Sequence, residues 1–221
     1  MTKSNMEKTP PKGSVRFSLS LSPEQKRAKT EILKHPFNFI VGKAGSGKTL
    51  LAVQVALDQF FKRQFNKIII TRPTISTEDN GFLPGSEREK MEPWLVPIRS
   101  NMKKIYNKPS ILEKMEKSEQ IELVSLAHFR GRTFDNSVVI VDEFQNLTRS
   151  QLAMAVGRLG KDSKMLFCGD SYRIDLKDKN YSAYHDMAKL INSEYVYKTV
   201  LEDSHRHAAI DDLLELLNGY H

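Results

Sequence analysis

Residues Gly42-Lys43-Ala44-Gly45-Ser46-Gly47-Lys48-Thr49 match the pattern G-x-x-x-x-G-K-[ST] in full. Each residue type has a task around a triphosphate. Glycines let the chain fold so that successive N–H groups, from Gly42 through Ala44, Gly45, Ser46 and Gly47, point at phosphate oxygens, and a helix starting at Lys48 adds the positive end of its dipole. Lys48 reaches the β and γ phosphates, and the Thr49 hydroxyl ligates Mg²⁺. Much later in the chain, Val138-Val139-Ile140-Val141 runs into Asp142-Glu143. An apolar strand ending in two acids puts Asp142 at the carboxyl edge of a sheet, where it serves the Mg²⁺ through water, and Glu143 where it polarises an attacking water. Together the two segments predict Mg²⁺-dependent hydrolysis of a nucleoside triphosphate.

These groups need a frame that holds them at one edge. Leu21-Ser22-Pro23-Glu24-Gln25 opens a helix in which Ser22 is the N-cap, Pro23 sits at N1 and Gln25 falls at N3. That helix ends before His35-Pro36, because proline disfavours a helical residue ahead of it. Phe37 to Val41 reads as a strand, Lys48 to about Lys62 as a helix, and Lys67 to Thr71 as a buried strand. Ile121 to Val124, Ser137 to Val141 and Lys164 to Cys168 are further strands, with a helix predicted over Leu147 to Leu159 and a terminal one over Ala208 to Leu217. Strands alternating with helices predict an α/β fold, a parallel sheet covered on both faces. Between Thr71 and Ile121, turn chemistry over Thr74 to Pro84 and helical sequence over Ser86 to Lys117, broken by prolines, predict a loop and helical insertion. Residues 1–20 are expected to be a flexible arm, and residues 21–221 a single domain.

Leu166-Phe167-Cys168-Gly169-Asp170 ends in a third acid, either a γ-phosphate sensor on a neighbouring strand or a Gly-Asp turn. Further segments are distinctive: Thr71-Arg72-Pro73, Gly81-Phe82-Leu83-Pro84-Gly85, Arg130-Gly131-Arg132-Thr133, Asp142-Glu143-Phe144-Gln145-Asn146, Ile174-Asp175-Leu176 and Arg206-His207. On these the chain resembles the PhoH-like family, P-loop NTPases whose core is similar to one RecA-like domain of superfamily 1 helicases. The resemblance runs from about Leu21 to Leu217.

That resemblance implies an ATPase acting on RNA or single-stranded nucleic acid. It gives Gln25 the place of an adenine-recognising glutamine, although a capping-box role explains the residue equally well. Arg72 looks like a helicase segment that touches nucleic acid, with a plain solvated arginine as the alternative. Arg130 and Arg132 flank Gly131 and offer phosphate contacts or a subunit-interface charge. Arg206 is the candidate arginine finger, with a salt bridge to Glu202 or Asp203 as the competing role. Three positions depart from the family pattern: Lys43 for proline, Phe144 for a small residue, and Arg173 for glutamine, the last affecting the sensing role. A superfamily 1 helicase closes its site between two RecA-like domains. With one expected here, the finger comes from a neighbouring subunit, which predicts a homo-oligomeric ring, a hexamer.

Lys+Arg 34 against Asp+Glu 27 leaves a net charge of +7, which favours polyanionic partners. The sequence has no apolar stretch long enough to span a bilayer and one cysteine, Cys168, so no membrane partner and a reducing cytoplasm are expected. A second class of function is a nucleotide-gated oligomeric binding module with slow or incidental hydrolysis. A small-molecule kinase is disfavoured, because the helicase-like segments have no role in one.

Overall fold

Residues 17–73, 87–205, 207, 209, 210, 213 and 216 are described in the computed structural model. Its strands are β1 (Phe37–Gly42), β2 (Lys67–Thr71), β3 (Ile121–Leu123), β4 (Ser137–Asp142), β5 (Lys164–Gly169) and β6 (Val196–Leu201). Among the described residues they form one sheet in the order β3-β2-β4-β5-β1-β6, with all neighbours parallel.

Alternate residues of the central strands point to opposite faces, and both sets are apolar. Ile40, Ile68, Ile70, Val138, Ile140, Leu166 and Cys168 pack with α1 (Pro23–Ile32), α2 (Lys48–Phe61), α3 (Glu87–Ile105) and α4 (Pro109–Lys117). Phe39, Val41, Ile69, Val139, Val141, Met165 and Phe167 pack beneath α5 (Arg149–Val156) and α6 (Tyr184–Leu190). Burial on both faces is why these strands read as unbroken apolar runs. The P-loop NTPase, RecA-like sheet with helices on both faces is therefore the observed fold.

The strand order positions the chemistry. β5 lies between β1, which feeds the glycine loop, and β4, which ends at Asp142. Val41 is opposite Gly169 and Asp142 opposite Cys168, so the tips of β1, β5 and β4 finish together at one edge. Ligands of open α/β sheets bind outside such carboxyl ends.

α1 is held at both ends. Gln25 N–H donates to Ser22 Oγ at 3.2 Å and Ser22 N–H to Gln25 Oε1 at 3.1 Å, which closes the predicted capping box. At the far end the buried Lys164 ammonium donates to the carbonyls of Ile32 (2.8 Å) and His35. Burial pushes the Lys164 pKa down to about 8. Residues before α1 also touch the fold: Phe17 packs on the core, and Ser18 N–H donates to Ile105 O at 2.8 Å.

Several element boundaries differ from those predicted. The helix expected over Leu147 to Leu159 is α5, starting only at Arg149 because Thr148 caps it with Gln151 as the box partner, and ending at Val156. Prolines 93 and 97 do not break the insertion helix. Pro93 and Pro97 lie four residues apart on an exposed side of α3, where carbonyls deprived of an N–H partner can bond water. The break comes at Lys108, ahead of Pro109 at the start of α4. β6 and α6 were not predicted. Most of the predicted terminal helix over 208–217, and the turn segment 74–84 with Gly81-Phe82-Leu83-Pro84-Gly85, lie outside the described residues.

Phe144 fills the space left by Gly169, where a Cβ would come within 2.4 Å of its ring. It is fully buried against Phe39, Phe167 and Tyr184 at centroid distances of 5.1, 5.9 and 5.9 Å. Phe144→Ala is expected to cost about 3–5 kcal/mol of stability, read as a lower urea midpoint, because its ring neighbours cannot collapse into the hole.

Candidate functional site

The glycine loop joins β1 to α2. Gly47, the residue before α2, has φ 82°, a left-handed conformation that glycine adopts without strain. A Cβ there would sit 2.6 Å from Gln25 Nε2. At the other end of the loop, a Cβ on Gly42 would collide with the Leu201 carbonyl at the end of β6. Both pattern glycines thus have a reason within the fold itself, the Leu201 backbone for Gly42 and the left-handed backbone for Gly47.

Lys48 Nζ donates to Gly42 O at 2.7 Å and Lys43 O at 2.8 Å. Burial lowers its pKa, opposed by the charge of Asp170 foremost and by Glu143 and Asp142. Thr49 Oγ1 donates to Asp142 Oδ1 at 2.7 Å, across 93 positions of sequence. Asp142 is pushed up to about 6 by burial first and by the charge of Glu143 second, while the Thr49 hydrogen bond, Arg72 and Lys48 pull it down. Two hard oxygen donors this close, one of them an acid buried with too little countercharge, fit a site for Mg²⁺, whose other oxygens would come from nucleotide and water.

Glu143 sits directly after β4 with φ 55° and ψ 43°, a left-handed conformation rare for a residue with a Cβ. Such backbone persists where surroundings fix it, and it is found at functional sites. Gln145 supplies part of that fixing. Its buried amide donates to Glu143 Oε2 at 2.6 Å and to Arg173 O at 3.0 Å, and its Oε1 accepts from Asp170 N–H at 3.1 Å. Gln145 therefore ties the tip of β4 to the tip of β5. Sequence reasoning gave this residue no role, although it lies in the Asp142-Glu143-Phe144-Gln145-Asn146 segment. Asn146 extends the tie through paired bonds with Asp175 at 3.2 and 2.8 Å.

Asp170 makes the turn that its sequence offered. Its Oδ1 accepts from Tyr172 N–H at 3.0 Å, which is the turn, and its charge acts on Lys48. Gln25 likewise keeps its capping role and also donates from Nε2 to Ser46 O at 3.2 Å. The same nitrogen lies 3.2 Å from His205 Nε2. His205, also missed in the sequence, reaches the loop through its backbone N–H to Gly45 O at 3.2 Å. Gln25, Ala44, Gly45, Gly47, Lys48, Thr49, Glu143, Asp170, Arg173 and His205 line one cleft of about 710 Å³. That volume suits a nucleotide-sized ligand.

The arginines separate. Arg72, just past β2, reaches the acid pair, with Nη1 3.9 Å from Asp142 Oδ2 and Nη2 3.5 Å from Glu143 Oε1. Arg132 is paired with Glu122 at 2.8 Å and lies over the Phe134 ring at 4.9 Å. Arg130 is exposed and lines a separate cavity of about 520 Å³ with Pro73, Ser125, Ser150 and Gln151. Arg206 lies outside the described residues. No helix among the described residues is long and apolar enough to cross a membrane.

The family model described as "PhoH-like protein" matches residues 19–218. A PhoH-like protein of Mycobacterium leprae is 34% identical over 200 residues, covering 89% of this chain and 57% of the relative. One from Synechocystis is 41% identical over 146 residues, covering 66% of this chain and 44% of the relative. The chain thus spans about half the length of the curated relatives it matches. Among solved structures, the large terminase of a thermophilic bacteriophage superposes with a TM-score of 0.59 at 10% identity, over 89% of this chain and 50% of the terminase. At that identity the likeness is one of fold.

Proposed function

The chain belongs to the PhoH-like protein family, and from that premise we propose that it is a Mg²⁺-dependent ATPase that couples turnover to work on RNA or single-stranded DNA. The observation that carries the hydrolase reading is the 2.7 Å bond from Thr49 to Asp142, since it brings the loop hydroxyl and the strand-end carboxylate to one point. In this reading Lys48 exchanges the carbonyls of Gly42 and Lys43 for β and γ phosphate oxygens. Thr49 and Asp142 hold Mg²⁺, which would neutralise charge building up on the phosphates. Glu143 takes a proton from water as the water oxygen bonds to the γ phosphorus and the bond to the β–γ bridging oxygen breaks. Gln25 reads the adenine edge, with His205 beside it, and Asp170 senses the γ phosphate.

Arg206 of a neighbouring subunit completes the site in this proposal, within a hexameric ring. The net charge of +7 and the exposed Arg130 beside Pro73 support a polyanionic strand as partner. A second reading, a nucleotide-gated binding module with slow hydrolysis, is favoured by one feature: the Asp170 carboxylate is already engaged by Tyr172 N–H. Steady-state ATPase rates with and without single-stranded RNA and DNA separate the two. A Mg²⁺-dependent rate that rises with strand, from a species of hexameric mass, is expected. Turnover indifferent to every strand would assign the binding module instead.

A further inference from the structure

β2 and β4 are neighbours in register, with Thr71 opposite Val141, so the next residues along, Arg72 and Asp142, stand side by side at the edge of the sheet. The Arg72 side chain is only 23% exposed and spans both acids, one Nη toward Asp142 and the other toward Glu143. We propose that Arg72 is a positioning residue of the hydrolytic site, which holds the Glu143 carboxylate, from within the same chain, in the orientation that takes a proton from water. The inference rests on the reading of Glu143 as general base.

Three features converge on it. The two Glu143 oxygens have separate partners from separate elements, Gln145 Nε2 on Oε2 at 2.6 Å and Arg72 Nη2 nearest Oε1 at 3.5 Å. Two partners fix the plane of a carboxylate where one would leave it free to rotate. The Glu143 backbone is itself held in a left-handed conformation, so the remaining freedom lies in the side chain that these partners control. Arg72 is restrained in turn, since it lies between the last residue of β2 and Pro73, and a residue before proline is confined to extended backbone. A planar guanidinium can face two carboxylates at once, whereas an ammonium is a point charge that satisfies one geometry less well. A residue set there to grip a passing strand would have no need to span both acids.

The full chain is assayed first without nucleic acid and then with single-stranded RNA or DNA, comparing Arg72→Ala and Arg72→Lys with the parent and with Glu143→Gln. Arg72→Ala is expected to lower kcat by about 10- to 100-fold, part of the 10²–10⁴ that a positioned general base supplies, with KM and fluorescent-ATP affinity held. Added guanidinium should restore part of that kcat in Arg72→Ala and none in Glu143→Gln, and Arg72→Lys should remain slow. In the Glu143→Gln background Arg72→Lys should cost nothing further, because two residues acting as a unit are not additive. This cycle also serves if Arg72→Ala fails to fold. Unchanged basal kcat with only strand stimulation lost would overturn the proposal and make Arg72 a nucleic-acid contact. Equal losses of kcat and ATP affinity, insensitive to guanidinium, would overturn it in favour of a purely structural role. Failure of the underlying reading is seen separately, as parental turnover in Glu143→Gln alone.

Discussion

Lys48→Ala is expected to fold and to lose kcat/KM for ATP by about 100-fold or more, the scale set by removing one well-placed donor from a developing anion. The fold should survive because the two acceptors it abandons, Gly42 O and Lys43 O, lie on the loop where water can replace the ammonium. Function should not survive. Lys48 is the cation set among Asp170, Glu143 and Asp142, and without it triphosphate would enter a cleft lined by two of those acids, Glu143 and Asp170, with the third buried behind them. Lys48→Arg should fail as well, since a slot that holds one ammonium between two carbonyls does not suit a forked guanidinium. Titration with a fluorescent ATP analogue, alongside a melting curve, checks both halves of this expectation. A variant that melts like the parent yet still binds and turns over ATP would show that the loop holds phosphate by its amides alone.

The sequence made the phosphate machinery legible because its signals are local. Ser22 and Gln25 are three residues apart, and the box they predicted closes as expected. The glycine loop and the apolar run into Asp142 are each contained within one strand and its turn. β6 was missed because an edge strand has no need of a continuous apolar run: Val196 to Leu201 includes Tyr197 and Lys198, is only partly buried over most of its length, and leaves Val200 exposed. Pro93 and Pro97 misled because the carbonyls they leave without an N–H partner lie on the exposed side of α3, where water lessens the cost. Gln145 and His205 were missed, and the contact of Arg72 with the acids was not foreseen, for a different reason. Their partners are distant in the chain, from Asp170 for the first to Gln25 for the second and the Asp142-Glu143 pair for the third, so only the strand order reveals them. Arg72 in particular reads in sequence as a nucleic-acid contact or a solvated arginine, and it is the β2–β4 pairing that brings it to the acids.

Glu143→Gln is the second large effect, and it separates binding from chemistry where Lys48→Ala does not. The amide keeps the size of the side chain and an oxygen that can accept from Gln145 Nε2, so the left-handed turn after β4 should stay. What disappears is the basicity. Hydrolysis is expected to fall by about 10²–10⁴-fold, the contribution of a positioned general base. ATP affinity is expected to hold or rise, because one negative charge leaves the neighbourhood of the γ phosphate and of Asp142, whose pKa that charge helps to raise. The nucleotide recovered from the protein after incubation with ATP and Mg²⁺ should therefore be ATP, where the parent yields ADP. Parental turnover would remove Glu143 from the base role and leave Asp170, the other acid lining the cleft, as the group to test next. Loss of binding together with turnover would mean instead that the charge of Glu143 is needed to hold Arg72 away from the phosphates, and that the acid pair and the arginine form one structural unit.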